Sequence, residues 1–300
     1  MPGRTLVASE PITPELLRGW PLPDRTGTKD ARGSALVVGG ARATPGAALL
    51  AGLAALRVGA GRLTLAVAES VAGPLAVAVP ESGVVGLPED GNGSVHGPND
   101  ALDGQLERAD AVVVGPGLDE PVGTRRLVEH LLRALPRHVP LVLDAFALGV
   151  LRDLPDDVRE LLGGRSVLTP NLREAQFLLP DGGAAGTDDE PDPAEAAAAA
   201  ARRYGAVVAY GGQLAAPDGR TWRSGTGASG LGTSGSGDVL AGAIAGLLAG
   251  GAEPAQAACW GVWLHGSAGD RLAARVGLTG YLARELLDGL PAVLVELSTS

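Results

Sequence analysis

The stretch SGTGASGLGTSGSGDVLAGAIAGLLAGG, Ser224–Gly251, decides the fold. Glycine stands at positions 225, 227, 230, 232, 235 and 237, and the loop empties into Val239–Gly250, where Leu240, Ile244, Leu247 and Leu248 fall at i, i+4, i+7 and i+8 of a helix. Unpaired amides in a first helical turn and the positive end of the helix dipole make such a junction an anion site, and Gly235 and Gly237 let the backbone approach a phosphate closely. Asp238 sits at the junction. A carboxylate there can cap the helix, or it can take a proton from a hydroxyl whose attacked phosphate lies on the same amides. A cap needs one Asp, whereas a phosphate cradle needs bare backbone around it, so the glycines favour the functional reading.

Composition bounds what surrounds this loop. The chain has 300 residues, 45% of them hydrophobic, and no proline- or serine-rich linker, which predicts one α/β domain over 29–290 with a leader (1–28) packed on it and a short tail (291–300). A net charge of -10 and a pI near 4.9 oppose attraction to nucleic acid or an anionic membrane and favour a free small molecule as partner. Cys259, in the apolar run AACWGVWL, is the only cysteine, so no intrachain disulfide framework exists and a buried thiol is expected. The first residues lack an apolar core of signal-peptide length, and Val239–Ala252 is shorter than the roughly 20 residues of a membrane span. A cytoplasmic protein is expected. Lys29 is the only lysine, which excludes a GKS/T phosphate loop elsewhere in the chain.

Along the chain, apolar runs alternate with helical patterns. Ala35–Val38 ends at Gly39-Gly40 and is followed by a helix over Pro45–Val58, then a strand over Leu63–Ala68. Ala111–Val114 runs into Gly115-Pro116-Gly117, and a helix over Val122–Leu135 precedes a strand Leu141–Leu143 that ends at Asp144. A helix over Asp157–Leu162, a strand Val167–Thr169 and a helix Asn171–Leu179 follow, then an acidic loop Pro180–Pro193 and an alanine helix Ala194–Arg203. Ala206–Ala209 is a further strand, a hairpin pairs Gln213–Ala216 with Arg220–Arg223 around Pro217-Asp218-Gly219, and helices over Ala255–Ala274 and Thr279–Leu287 close the chain. Continuously apolar strands alternating with helices predict a mostly parallel sheet covered on both faces, with ligands where strands end and helices begin.

Each remaining motif carries two readings. Gly39-Gly40 with Pro45-Gly46-Ala47-Ala48 either leaves room for a bulky ligand or permits tight packing, and Gly115-Pro116-Gly117 lies on the ligand edge or simply shapes a turn. Asp144 holds a cation or a substrate hydroxyl, or caps a helix. Asn171 and Glu174 are i, i+3, so an amide and a carboxylate can together address a phosphate and its hydrated Mg²⁺, or they form a capping box that needs no ligand. His265, among Trp and Ala, reads as a packing residue rather than a base, and the apolar helix around it serves core or a homo-oligomer interface equally well. No HExxH, His/Cys cluster, GxSxG or GxGxxG with an acidic partner is present, so phosphate chemistry remains.

With Thr169–Glu174 and Gly235–Asp238 both in hand, the chain resembles the ribokinase-like superfamily, whose hallmarks are an N-x-x-E segment and a late G-x-G-D loop. More narrowly it is similar to the ADP-dependent NAD(P)H-hydrate dehydratases. The resemblance is carried by Lys29-Asp30-Ala31-Arg32-Gly33, Gly39-Gly40…Gly46-Ala47, Leu56–Gly61, Val114–Leu118, Leu143-Asp144-Ala145, Leu168-Thr169-Pro170, Gly235–Gly242 and His265-Gly266-Ser267-Ala268-Gly269-Asp270, colinear from Ile12 to Leu287.

The resemblance implies a three-layer ribokinase-like sandwich that repairs NADH or NADPH hydrated on its nicotinamide ring, with ADP as phosphate donor. Asp238 would be the base, with the amides of Ser236 and Gly237 on the transferred phosphate. Ala47, Gly117, Asn171 and Asp238 would line the hydrate pocket; Tyr210, Gly211, Gly212, Gln213 and Leu214, with Gly235, Ser236 and Gly237, would hold the nucleotide; Glu174 would position Mg²⁺ through water. An epimerase, often fused in this family, is expected on a separate chain. The sequence departs from the family pattern at Asn171, Phe146, Tyr210, Ala228 and Asp119. A small-molecule kinase of the same superfamily, using ATP on a sugar or hydroxymethylpyrimidine, and a non-catalytic nucleotide-binding homologue are the alternatives.

Overall fold

The structure is a computed structural model and describes residues 9–24, 26–179, 192–227 and 229–298. Most of the expected loop Pro180–Pro193, and Ala228, lie outside the described residues. A strand β1 (Glu10–Ile12) and helix α1 (Pro14–Gly19) lead into β2 (Ser34–Val38), α2 (Pro45–Arg57), β3 (Arg62–Ala68), α3 (Glu69–Ala78), β4 (Ser82–Leu87) and α4 (Asp100–Leu106). Next come β5 (Ala111–Val114), α5 (Pro121–Ala134), β6 (Leu141–Leu143), short helices α6 (Phe146–Gly149) and α7 (Asp156–Arg159), then β7 (Ser166–Leu168), α8 (Leu172–Leu178) and α9 (Pro193–Tyr204). The chain ends with β8 (Val207–Tyr210), β9 (Gln213–Ala215), β10 (Thr221–Ser224) and three long helices, α10 (Ser236–Ala249), α11 (Pro254–Val276) and α12 (Ala283–Ser298).

One ten-stranded sheet runs in the order β1-β10-β9-β8-β7-β6-β5-β2-β3-β4, and every pair from β8 across to β4 is parallel. Alternation sorts the side chains: Ala35 and Val37 of β2 enter one core with α2, α10, α11 and α12, while Leu36 and Val38 enter the other with α5, α8 and α9. The three-layer expectation is thereby met. Strand order reverses between β2 and β5, so the loops after those two strands diverge to opposite faces and leave a crevice at their carboxyl ends.

Several boundaries differ from the sequence reading. β4, SGVVGL, was not expected as a strand: two glycines and half-exposed side chains weaken its pattern. Gly211 and Gly212, with φ of +57° and +77°, close a two-residue hairpin from β8 to β9, a geometry that costs little only for glycine. The last helix begins at Ala283, later than expected, after Gly280 at φ +102° and a bond from the Leu282 amide to the Glu285 carboxylate. It continues to Ser298, so residues 291–298 are not a tail: Val293 and Leu297 are buried on the same stripe as Leu286 and Leu290. Among the described residues no helix is long and apolar enough to cross a membrane.

Helix α10 is seated by small residues. A Cβ on Gly242 would stand 2.0 Å from the Ala51 carbonyl oxygen, and one on Gly246 would stand 2.5 Å from that of Ala55, so α10 lies backbone to backbone on α2. Gly242→Val is expected to lower unfolding free energy by about 1–3 kcal/mol because the obstacle is main chain. Gly104→Ala on α4, where nothing stands within 4 Å, should instead raise it by up to about 1 kcal/mol. Urea denaturation midpoints of the two variants check the contrast.

Candidate active site at the carboxyl edge of the sheet

Parallel strands deliver Gly39 (after β2), Gly115 (β5), Asp144 (β6), Thr169 (β7) and Gly211 (β8) to one edge. The loops after β2 and β5 interlock there: the Gly40 and Ala41 amides donate to the Pro116 and Gly117 carbonyls at 2.8 Å each, and the Thr44 hydroxyl donates to the Gly117 carbonyl at 2.8 Å. A Cβ on Gly39 would meet the Pro116 oxygen at 2.0 Å, so this glycine serves loop contact rather than ligand space. Gly117, at φ +73°, abuts Ala47, whose Cβ lies 3.1 Å from where a Gly117 Cβ would be. Two of the four residues expected to line the hydrate pocket are therefore neighbours.

Helix α10 starts three residues earlier than expected, with Gly235 at its cap in a left-handed conformation (φ +90°) and no side chain capping it. Asp238 is thus the third residue of the first turn, and the capping reading fails. Its Oδ2 lies 3.8 Å from where a Gly235 Cβ would be, so the carboxylate folds back toward the helix N-terminus. The Ser236 amide was expected on the phosphate; instead it donates to the Thr233 carbonyl at 3.2 Å, closing a turn. The Val239 amide donates to Gly235, which leaves the Gly237 and Asp238 amides without an acceptor among the described residues. Those two donors, with roughly half a positive charge at the helix end, can accept an anion.

Asn171 and Glu174 form the capping box of α8: Asn171 Oδ1 accepts from the Arg173 and Glu174 amides, and Glu174 accepts from the Asn171 amide at 2.9 Å and its Nδ2 at 2.7 Å. The box does not exhaust Glu174. Burial pushes its carboxyl up, against the opposing pull of the Asn171 bonds. Asp144 is buried and accepts the Thr169 hydroxyl at 2.8 Å; burial first, then Asp238 and Glu174, push it up to about 8. Asp238 is pushed up to about 6, by burial first and then by Glu174. Among the described residues no three His, Cys, Asp or Glu side chains stand close enough to hold one metal ion. Crowded carboxylates without a direct cage fit a Mg²⁺ that keeps most of its waters.

The remaining expected residues divide. Tyr210 is buried within the second core beside Val208 and Ala215, while Gly211, Gly212, Gln213 and Leu214 make the hairpin at the end of β8. Phe146 is 37% exposed at the start of α6, directly after Ala145, which at φ +48° is the one described non-glycine residue with positive φ. A Cβ on Gly115 would meet the Asp144 carbonyl at 1.8 Å, so this strained turn is pinned against the β5 loop. Lys29 lies elsewhere: its segment passes beneath Gly61 at the opposite end of the sheet, beside a cavity of about 650 Å³ that also takes Asp30, Arg62 and Arg108. The sequence reading missed the partner of His265, whose Nε2 meets the Ser236 hydroxyl at 2.9 Å; burial pulls this imidazole down to about 4, so it is neutral and satisfied.

This sheet order, with a bare helix N-terminus beside a desolvated carboxylate at its carboxyl edge, is a ribokinase-like α/β fold. The chain belongs to the NAD(P)H-hydrate dehydratase family, which matches residues 35–292. It is 45% identical to the ADP-dependent (S)-NAD(P)H-hydrate dehydratase of Xanthomonas campestris, over 95% of this chain and 96% of that one. It is 41% identical to a bifunctional NAD(P)H-hydrate repair enzyme of Moorella thermoacetica, of which it spans about half (52%) while 92% of this chain is matched. A crystal structure of ADP/ATP-dependent NAD(P)H-hydrate dehydratase from Bacillus subtilis, co-crystallised with ATP and Mg²⁺, superposes with a TM-score of 0.76 at 28% identity, covering 97% of this chain and 99% of that one.

The electrostatics predict a pH signature. Asp144 is held above its unfolded value near 4, so the folded state binds an extra proton between that value and about 8, and stability falls as pH rises through the window. Asp144→Asn keeps the bond to Thr169 and removes this loss. Urea midpoints of metal-free protein from pH 5 to 9 should decline for the wild type and stay flatter for the variant; equal declines would contradict the assignment.

Proposed function

We propose that this chain is an ADP-dependent dehydratase of the S epimer of hydrated NADH or NADPH, releasing AMP, phosphate and the restored dinucleotide. The carrying observation is the pair of unspent amides at Gly237 and Asp238 with the uncapped Asp238 carboxylate folded toward the same helix end. Family membership and the 45% identical dehydratase support the substrate.

In this reading the Asp238 carboxylate takes the proton of the ring hydroxyl, whose oxygen forms a bond to the β-phosphorus of ADP as the bridging bond to AMP breaks. The Gly237 and Asp238 amides hold the charge that gathers on the moving phosphoryl oxygens. The phosphate then leaves with the ring oxygen and takes up the proton lost by a neighbouring ring carbon, whose C–H electron pair becomes the restored double bond. Ala47, Gly117 and the Asn171 turn bound the hydrate, and the hairpin turn Gly211–Gly212 with Gln213 bounds the nucleotide, Tyr210 and Leu214 holding that turn from the two cores. Glu174 would hold Mg²⁺ through water, and the ion would neutralise the β-phosphate charge beside three carboxylates. Partners are free small molecules in the cytoplasm, in keeping with the acidic chain.

An ionised base is required, so kcat/KM should fall as pH drops through about 6, where Asp238 titrates. Asp238→Asn should lower ADP-driven recovery of NADH absorbance by roughly 10²–10⁴-fold while ADP still binds. Recovery at the wild-type rate in the variant would remove Asp238 from the role of base.

A further inference from the structure

Glycine-rich backbone holds one shape only if something outside it fixes the shape, because glycine has the most freedom to lose. The approach to α10 carries glycines 225, 227, 230, 232 and 235, yet among the described residues only two side chains from another element hydrogen-bond to it or to Ser236, the residue at which it enters the helix. Both come from α11. Asp270 accepts the Gly227 amide with its two carboxylate oxygens at 3.2 and 3.1 Å, and His265 meets the buried Ser236 hydroxyl at 2.9 Å.

Between these tethers α11 presents bare backbone. A Cβ on Gly266 would stand 2.2 Å from Thr226 Oγ1, and one on Gly269 would stand 2.7 Å from Leu231 Cδ2. His265 and Gly269, and likewise Gly266 and Asp270, are four apart, so polar grip and glycine seat share one stripe of the helix. Gly227 and Gly235 both hold positive φ, +108° and +90°, so the loop is fixed near two bends that other residues resist.

We propose that Asp270 and His265 are positioning residues: a two-point clamp from α11 that fixes the glycine approach to α10, and thereby sets the aim of the Gly237 and Asp238 amides at the nucleotide phosphate. This rests on the reading of those amides as the phosphoryl grip. Neither clamp residue hydrogen-bonds to Ala47, Gly117, Asn171 or the Asp238 carboxylate, so a loosened loop disturbs the amides that meet the nucleotide more than the walls that meet the hydrate.

Asp270→Ala should raise the KM for ADP about tenfold or more, the scale of one lost charge-assisted bond, with the KM for hydrate within about twofold of wild type. Asp270→Asn, whose amide oxygen still accepts, should recover part of the loss. Parallel movement of both KM values, or an ADP KM within about twofold of wild type in a variant that melts normally, overturns the clamp. If the Ala variant does not fold, the Asn variant carries the same comparison. If the wild-type protein shows no ADP-driven turnover, the dehydratase reading fails, and hydrogen exchange still judges the clamp: the Gly227 and Ser236 amides of either Asp270 variant should exchange faster than wild type in ligand-free protein, and equal exchange overturns it.

Discussion

Main chain against main chain, where Gly242 and Gly246 of α10 meet Ala51 and Ala55 of α2, is the contact on which the rest depends. Side chains at those positions would hold the helices apart and lift the N-terminus of α10 off the carboxyl edge. Their absence lets Val239, Ile244 and Leu247 bury completely and sets the first turn of α10 close to Leu50, with Gly235 on its side chain. The same α2 begins at the loop that interlocks with Gly117, so one helix pair registers the first turn of α10 against the crevice between β2 and β5.

Two electrostatic terms compete at Asp238. A carboxylate in the first turn of a helix is favoured by the dipole, by up to about 2 kcal/mol when partly buried. Burial and the neighbouring Glu174 oppose it and win, since the group sits above its ordinary value, at about 6. A carboxylate so placed is a stronger base than a solvated one and is still ionised at neutral pH. The cost of crowding Asp144, Glu174 and Asp238 is carried by the cores on either face of the sheet, where β2, β5, β6 and β7 are buried throughout apart from Ser34. Neutral His265 adds no charge to this balance and acts through its bond to Ser236.

What the sequence made legible follows from how local each signal is. Parallel strands such as Ala111–Val114 announce themselves because both faces are buried, and the Asn171–Glu174 box was readable as a cap because it closes within four residues. Contacts between distant segments were not readable. Gly39 read equally as ligand space or as packing until Pro116, 77 positions on, was seen against it, and Ser236 looked like a phosphate donor until its amide turned to Thr233. Asp270 carried no local sign of its tie to Gly227, 43 positions away. The Gly211-Gly212 hairpin, by contrast, followed two-residue turn chemistry and was available to a closer reading.

The central claim is that the ring hydroxyl attacks the phosphoryl group gripped by α10, so that hydroxyl oxygen departs inside phosphate. Hydrate labelled with ¹⁸O in its ring hydroxyl, turned over with ADP and analysed by mass spectrometry, tests this directly. The account predicts one ¹⁸O in each inorganic phosphate released and none in water. Label recovered in water, with unlabelled phosphate, would contradict it.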